Sequence, residues 1–404
     1  MSVMTRFQHW VDARFPLTKL WNEHLAKYYA PKNFNIWYFF GSLALVVLVI
    51  QIVTGIWLTM SYKPDAEQAF GSVEYIMRDV EWGWLIRYLH STGASAFFIC
   101  VYLHMFRALL YGSYRNPREL LWIIGVFIYL ALMVESFLGY LLPWGQMSYW
   151  GAQVIVSLFS AIPVIGEDLA LWIRGDYVIS DMTLNRFFSL HVIAVPLALV
   201  FLVVIHIMAL HEVGSNNPDG IEIKDHKSPR GIPLDGIPFH PYYTVKDLFG
   251  VAVFLFLFAA VVFYMPSFGG WFLEDNNFIP ADPLKTPEHI MPVWYFTPFY
   301  AILRAIPDKF GGALAMNAAI FVFFFLPWLD RSRVKSIRYR GGYYKVALGI
   351  FVVSFLALGY LGTQPPRPIP ARIFTVLYFA FFLLMPVYTK LDKARPVPEK
   401  VRYP

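Results

Sequence analysis

The amino-acid sequence predicts an all-α integral membrane protein. Of the 404 residues, 58% are hydrophobic and only 15% are charged, whereas a soluble chain of this length would have about one-quarter charged residues. Apolar runs of about 20 residues, the length that crosses a bilayer core, recur along the chain. The 13 tryptophans and 25 tyrosines are typical of side chains that anchor helices at membrane interfaces.

Eight transmembrane helices are expected, and the basic residues between them predict their orientation. The predicted spans lie near residues 36–60, 84–111, 119–141, 187–211, 247–265, 309–328, 343–362 and 370–389. The two termini and three loops hold 21 Lys and Arg residues, whereas the other four loops hold 7. Because positive charge marks the cytoplasmic side, both termini are expected to be cytoplasmic. The basic run 331–340 is interpreted as a membrane-flanking loop and not as a nucleic-acid site.

The spans divide the chain into four parts. These are an amphipathic cytoplasmic segment without a signal-peptide layout (1–34), a bundle of the first four helices (35–212), a cytoplasmic linker rich in Gly, Pro and charge (213–246) and a four-helix C-terminal domain (247–404).

Two segments on the predicted outer side, 142–186 and 266–307, are too long for simple turns. Loops of this length in a compact domain usually have a function or contain small helices. The apolar stretches 151–162 and 298–306 are therefore expected to form helices along the membrane surface.

Four histidines lie inside the second and fourth spans. His90 and His104 are 14 residues apart, which returns them to within about 40° of one helix face and separates them by about 21 Å. His191 and His206 are 15 residues apart. A histidine within a membrane span is costly and therefore a functional candidate. The single cysteine, Cys100, excludes a disulfide framework, a thiolate-ligated iron–sulfur cluster and a Cys-rich zinc site within this chain.

The orientation of the spans pairs these histidines. The second and fourth spans run in the same direction, so His90 and His191 both lie near the outer end. His104 and His206 correspondingly lie near the inner end. Each pair predicts the two axial ligands of a b-type haem. Covalent attachment is excluded, because the sequence contains no Cys-x-x-Cys-His motif.

Glycines and arginines fit the same interpretation. The first and third spans each carry two glycines 14 residues apart, namely Gly41, Gly55, Gly125 and Gly139. A glycine allows a porphyrin to lie close to a helix, although a single one more often serves helix packing. Arg87 and Arg107 lie on the sides of their helices that carry His90 and His104, where they could bind haem propionates. The alternative is that they snorkel at a helix end.

Five short segments together carry a resemblance to a known family. They are Arg87-Tyr-Leu-His-Ser-Thr-Gly-Ala-Ser, Gly139-Tyr-Leu-Leu-Pro-Trp-Gly-Gln-Met-Ser, Leu210-His-Glu-Val-Gly-Ser-Asn-Asn-Pro, Ile237-Pro-Phe-His-Pro-Tyr-Tyr-Thr-Val-Lys-Asp and Pro292-Val-Trp-Tyr. In order and spacing, the chain from about Asn35 onward resembles bacterial cytochrome b, the core subunit of the quinol–cytochrome c reductase (respiratory complex III).

The resemblance implies a proton-translocating cycle with two quinone sites. At the outer site quinol would give one electron to a Rieske iron–sulfur protein and one to the outer haem. The second electron would cross to the inner haem and reduce quinone at the inner site. The implied setting is a homodimeric complex in the bacterial inner membrane, with a c-type cytochrome subunit, ubiquinone and ubiquinol, and membrane lipids as partners.

The resemblance also assigns residues to the inner quinone site. His211 and Asp247 match positions that contact quinone and exchange protons, with Ser215 and Lys246 nearby. From the residues alone, the favoured interpretation is that His211 snorkels and Asp247 caps a helix.

At the outer quinol site, the resemblance assigns Tyr140, Tyr295, Trp294 and Pro292. The usual form of the last motif is Pro-Glu-Trp-Tyr, whose glutamate accepts a quinol proton, but this chain has Val293 there.

A carboxyl five residues upstream is the candidate to replace that glutamate. We hypothesise that Glu288 accepts the quinol proton, with the help of His289. The alternative is that Glu288 is an exposed loop carboxylate.

The spacing of His191 and His206 departs from the 14 residues of mitochondrial relatives. One extra residue turns a straight helix by about 100°. Pro196 lies between the two ligands, and a proline kink is expected to absorb the change.

Three other interpretations are open on the residues alone. The histidines could be a proton relay in a transporter or channel, the chain could be a non-catalytic membrane scaffold, or it could belong to another diheme quinone oxidoreductase. The first two predict no haem spectrum, and the two long outer loops and four later spans disfavour the third.

Overall fold

The computed structural model describes residues 2–402, and it is predominantly helical. Within those residues, seven helices are long and apolar enough to cross a membrane. They are Ile36–Thr59, Gly83–Tyr111, Glu119–Leu141, Asp181–Val213, Phe239–Tyr264, Lys309–Leu329 and Gly342–Thr363. They correspond to the first seven predicted spans, and the prediction of an all-α membrane protein is confirmed.

The eighth predicted span is bent. Helices Pro368–Leu383 and Met385–Leu391 together pass as one apolar span, but they meet at an angle of 58°. Pro386 lies in the first turn of the second helix, and proline cannot donate the backbone hydrogen bond that would continue the first helix. The predicted span near 370–389 therefore corresponds to this bent pair of helices.

The first four spans pack as two neighbouring pairs. The first span lies along the second, and the third lies along the fourth. Val47, Phe98 and Val126 of the first three spans are almost completely buried and belong to one hydrophobic core, as expected for the apolar seams of packed helices. Phe258 of the fifth span packs into the same core, which joins the bundle to the C-terminal helices.

Short helices occupy the two long loops. Helices Gln146–Phe159 and Thr297–Ala305 confirm the two helices expected over 151–162 and 298–306. Further helices were not predicted; they are Val3–Asp12, Leu17–Trp21, Ala69–Arg78 and Gly166–Arg174.

The N-terminal segment, the linker and the C-terminus meet at one end of the molecule. Strand β1 (Tyr29–Pro31) pairs antiparallel with strand β2 (Gly236–Pro238) of the linker. The backbone N–H of Val401 donates a hydrogen bond to the Asp235 carboxylate at 3.0 Å. Both chain ends therefore lie on the same side, as an even number of spans requires. We call this end the inner end and the opposite one the outer end.

The fourth span contains a π-helical turn at Leu190–Ala194, immediately before Pro196. A π-turn inserts one extra residue into a helix, and such turns are common at functional sites. The extra residue between His191 and His206 is thus absorbed by this turn beside the proline.

Ion pairs fix the basic loop 331–340 at the inner end. Arg340 is fully buried and binds Asp330, which is also buried. Two neighbouring cations, Lys335 and Arg338, bind carboxylates of the linker. The loop is therefore more than the solvated flanking segment that we expected, because several of its charges hold the linker against the helices.

Candidate functional site

The four histidines of the second and fourth spans form two pairs. The ring centroids of His90 and His191 are 6.1 Å apart, with the ring planes nearly perpendicular at 89°. Those of His104 and His206 are 6.4 Å apart at 64°. The pairing expected from the orientation of the spans is the pairing that the fold brings about.

These separations fit a metal held between two imidazoles. A metal–imidazole bond is about 2 Å long, and the ring centroid lies about 1 Å behind the nitrogen, so two axial ligands require about 6 Å between centroids. No group of three or more His, Cys, Asp or Glu side chains converges within residues 2–402. A macrocycle that supplies the remaining ligands, as in a haem, fits such pairs better than a bare ion.

Each predicted glycine lies against one of these rings. A Cβ built on Gly41, Gly55 or Gly125 would lie 3.1, 3.2 or 3.3 Å from the nearest histidine Cε1 atom. On Gly139 it would lie only 2.4 Å from Cε1 of His191. The glycines therefore give space to the imidazoles themselves, which refines the expectation that they face a porphyrin.

Two side chains orient the outer pair. The Thr54 hydroxyl lies 2.9 Å from Nδ1 of His90. Nδ1 of His191 lies 3.0 Å from a carboxyl oxygen of Glu135 and 3.0 Å from the Glu135 carbonyl oxygen. Hydrogen bonds of this kind fix the tautomer and the direction of a ligating imidazole. Neither Thr54 nor Glu135 was predicted.

A cavity of about 410 Å³ surrounds the outer pair. Besides both histidines, it is lined by Arg87, Gly55 and Gly139 and by many apolar side chains. The position of Arg87 fits the predicted role toward an anionic group beside His90.

The same cavity extends to the predicted quinol residues. Tyr140, Val293 and Tyr295 all line it. Tyr295 is buried and stacks on Phe98, with ring centroids 3.9 Å apart. Val293 is 4% exposed and presents only methyl groups. The cavity is thus apolar with few polar groups, which is typical of a small-molecule site.

Three other predicted residues do not reach the cavity lining. The indole N–H of Trp294 donates a hydrogen bond to Ser95, 3.0 Å away, and Pro292 precedes the lining residue Val293. Glu288 is exposed on the outer loop. Its placement does not support the hypothesis that Glu288 takes the proton, which stays an untested prediction.

A different carboxyl approaches this region. Glu274 is 4% exposed, and its Oε2 accepts a hydrogen bond from the Tyr140 hydroxyl at 2.8 Å. Burial raises the pKa of Glu274 to about 7. Sequence reasoning missed this residue, because an acidic residue in a polar loop is ordinarily exposed.

The inner end carries the other predicted residues. Arg107 lies over the Tyr38 ring at 4.9 Å and donates a hydrogen bond to Ser113. Its buried Nε has no hydrogen-bond partner within the described chain. The guanidinium therefore keeps donor capacity for an anion beside the inner histidine pair.

The residues predicted for an inner quinone site are held by partners on other elements. His211 stacks on Tyr28, with ring centroids 4.6 Å apart, and the Asp247 carboxylate accepts a hydrogen bond from Ser42 at 3.0 Å. Ser215 is half-buried, whereas Lys246 is exposed. The contribution of Tyr28 was missed, because contacts between the N-terminal segment and the linker, including the pairing of β1 with β2, bring Tyr28 to His211.

Comparisons with known proteins match both halves of the chain. A family model described as cytochrome b/b6/petB matches residues 25–214, and one described as cytochrome b(C-terminal)/b6/petD matches residues 280–382. The chain is 66% identical to cytochrome b of Allochromatium vinosum, over 97% of each sequence. The chain belongs to the cytochrome b family. It is also 51% identical to cytochrome b of Rickettsia bellii, over 97% of this chain and 96% of that protein.

A solved structure agrees with this assignment. A chain of a structure entitled "Hyperthermophilic respiratory Complex III" superposes with a TM-score of 0.87 at 42% identity, covering 95% of this chain and 98% of that one. As a bacterial cytochrome b, the chain is a multi-pass membrane protein that binds b-type haem and transfers electrons within a quinol–cytochrome c reductase. The transporter and scaffold interpretations are therefore wrong.

Proposed function

We propose that this cytochrome b holds two haems, oxidises quinol at the outer end and reduces quinone at the inner end. His90 and His191 would ligate the outer haem, and His104 and His206 the inner one. The observation that carries the proposal is the centroid separation of 6.1 and 6.4 Å within the two pairs. The two sites lie about 21 Å apart along the second span.

When bound, the haems would supply one-electron transfer across the membrane. The chain's own residues hold and orient them. Each histidine lies against a glycine that leaves room for its ring, and Thr54 and Glu135 fix the outer rings. Arg87 and Arg107 are the cations that would bind haem propionates at the outer and inner sites.

The outer cavity is the proposed quinol site. Tyr140 and Tyr295 would position the quinol ring, and Val293 keeps its surroundings apolar. The loop that carries Trp294 and Pro292 closes the cavity from one side and is the surface where a Rieske iron–sulfur protein would take one electron.

At the inner end, His211 and Asp247 would exchange protons with the quinone. A proton donor must lie within hydrogen-bond reach of a quinone oxygen. Stacking on Tyr28 and the hydrogen bond from Ser42 hold the two side chains in fixed directions. Ser215 and Lys246 lie close to them in sequence and would complete this site.

The complex would contain further subunits. A relative named "Cytochrome b/c1", from Bradyrhizobium diazoefficiens, is 48% identical to this chain, which covers only 56% of that protein. This supports a c-type cytochrome as partner, together with a Rieske protein, in a homodimeric complex that uses ubiquinone. We place the chain in the bacterial inner membrane, with its basic inner end and both termini in the cytoplasm.

A reduced-minus-oxidised absorption spectrum of the purified complex tests the proposal. Two b-type bands are expected, one lost in His90→Leu and the other in His104→Leu. His226→Leu is the control, because His226 is exposed in the linker, and both bands should remain. A single band in the unmodified complex, or the loss of the same band in both ligand variants, would contradict two separate haem sites.

A further inference from the structure

The outer loop contains a buried carboxyl, Glu274, whose side chain does not cap the helical turn beside it. It precedes the short helical turn Asp275–Asn277, but its side chain makes no capping hydrogen bond there. Instead its Oε2 faces the third span and accepts a hydrogen bond from the Tyr140 hydroxyl at 2.8 Å. Burying a carboxyl costs free energy unless the carboxyl is hydrogen-bonded or neutral.

Tyr140 links this carboxyl to the outer cavity. Its ring lines the cavity together with Tyr295 and Val293. Burial, and then the charge of Glu274, raise the pKa of Tyr295, so the carboxyl is also close to the second lining tyrosine. The chain thus has an acid one hydroxyl away from the cavity, although position 293 has none.

We propose that Glu274 accepts one proton of quinol at the outer site, through the Tyr140 hydroxyl. This rests on the proposed quinol-oxidising function. As the quinol O–H bond breaks, Tyr140 takes that proton and passes its own to the Glu274 carboxylate. Tyr140 would end unchanged and Glu274 would end as a neutral acid. One electron would leave to the outer haem, and the other electron would leave together with the second quinol proton to the iron–sulfur partner.

The electrostatics suit a group that takes up and releases a proton near neutral pH. Burial raises the pKa of Glu274 to about 7, and a proton carrier works best when its pKa is near the operating pH. The titratable groups that face it are Tyr140 and Tyr295. Among the described ion pairs, none brings a Lys, Arg or His to Glu274, so no cation holds it ionised.

The position of Glu274 also provides an exit for the proton. The next two residues, Asp275 and Asn276, are exposed on the outer loop. A rotation of the Glu274 side chain away from Tyr140 and toward these exposed residues would carry its proton to the outer solvent. The proton would then be released on the side where quinol oxidation requires it.

The test is made on the intact complex by rapid mixing with ubiquinol at several pH values, following reduction of the outer haem. Glu274→Gln keeps the shape of the side chain but cannot take a proton, and we expect a fall in rate of about 100-fold. The inflection of the rate near pH 7 should also disappear. Glu167→Gln, an exposed glutamate on helix Gly166–Arg174, is the matched control and should behave as the unmodified complex.

A second readout separates proton transfer from packing. In infrared difference spectra, a carboxyl band that titrates near neutral pH should be present in the unmodified complex and absent in Glu274→Gln. Glu274→Asp should recover part of the rate. An unchanged rate and pH profile in Glu274→Gln would overturn the proposal. A loss of rate in Glu288→Gln but not in Glu274→Gln would also overturn it, since Glu288 would then be the proton acceptor.

Failure of the proposed function would look different. If the unmodified complex does not reduce its outer haem with ubiquinol at any pH, quinol oxidation at this site is wrong, and the role of Glu274 falls with it. If the unmodified complex reacts and Glu274→Gln reacts at the same rate with the same pH profile, the proposed function stands and the assignment of Glu274 fails.

Discussion

The closest approach between a glycine and a ligand ring gives the sharpest prediction. A Cβ on Gly139 would lie 2.4 Å from Cε1 of His191 and 2.9 Å from both of its nitrogens. Gly139→Ala adds only that one atom, on a helix whose backbone is held by its neighbours. We expect the His191 ring to move and the outer haem to lose proper ligation.

The structure gives the size of the displacement. Ordinary van der Waals contact begins at 3.4 Å, so the ring must retreat by about 1 Å from the 2.4 Å position. Metal–ligand distances tolerate about 0.2 Å, and overpacking of this kind costs about 1–3 kcal/mol. By contrast, Gly55→Ala brings its Cβ to 3.2 Å from His90, which a shift of a few tenths of an ångström relieves.

The assay is a redox titration of the two b-type bands in the purified complex. Gly139→Ala should lose or strongly shift the outer band and leave the inner one unchanged, whereas Gly55→Ala should shift the outer band only slightly. Gly349→Ala is the control, because nothing lies within 4 Å of a Cβ at Gly349 on the seventh span.

Two results would refute this reasoning. One is an unchanged outer band and potential in Gly139→Ala, which would mean that His191 does not lie against Gly139 in the assembled complex. The other is an equal loss of both bands, which would indicate a general folding defect. The Gly349→Ala control identifies the case in which any alanine in a span is harmful.

Three further predictions follow from single contacts. Glu135→Gln should raise the potential of the outer haem by about 60 mV, a tenfold change for one electron, because an amide is a weaker acceptor than a carboxylate for the His191 N–H. An unchanged potential would show that Glu135 and His191 do not interact. Asp247→Asn should slow oxidation of the inner haem by quinone about 100-fold, and an unaltered rate in stopped flow would remove Asp247 from the inner site. Asp330→Asn leaves the fully buried Arg340 without its partner and should cost about 3–5 kcal/mol, measured as a lower Tm in detergent. Although burial opposes ionisation, the guanidiniums of Arg340 and Arg115 hold the pKa of Asp330 below its usual value. The stabilisation by this ion pair is therefore present at neutral pH and is lost only in acid. A Tm in Asp330→Asn equal to that of the unmodified complex would contradict it.

The features that sequence alone predicted share one physical basis. The bilayer imposes helix length and apolar composition, and helix geometry converts the 14-residue spacing of His90 and His104 into depth and face. The direction of each span follows from the charge of its flanking loops. These regularities were sufficient to predict the two histidine pairs before any contact was known.

The features that it missed depend on contacts between distant segments. Tyr28 stacks on His211 where the N-terminal segment packs against the linker, with β1 paired to β2. Arg340 is buried against Asp330 and the Tyr344 ring, and the composition of a basic loop gives no signal of that burial. Glu135 is different, since an acidic residue inside the apolar third span could have been recognised as a functional candidate.

The proposed role of Glu274 would mean that a catalytic group has changed position at the outer site. The usual glutamate of the Pro-Glu-Trp-Tyr motif would extend from the turn that here carries Val293, whose methyl groups fill the cavity wall. Glu274 comes from the same loop but approaches from behind Tyr140. Because the tyrosine hydroxyl can accept and donate at once, a carboxyl in this position needs no direct contact with quinol. Under this proposal, the outer site requires a buried base that is connected to the cavity by a hydrogen bond, and the motif position would be only one way to provide it.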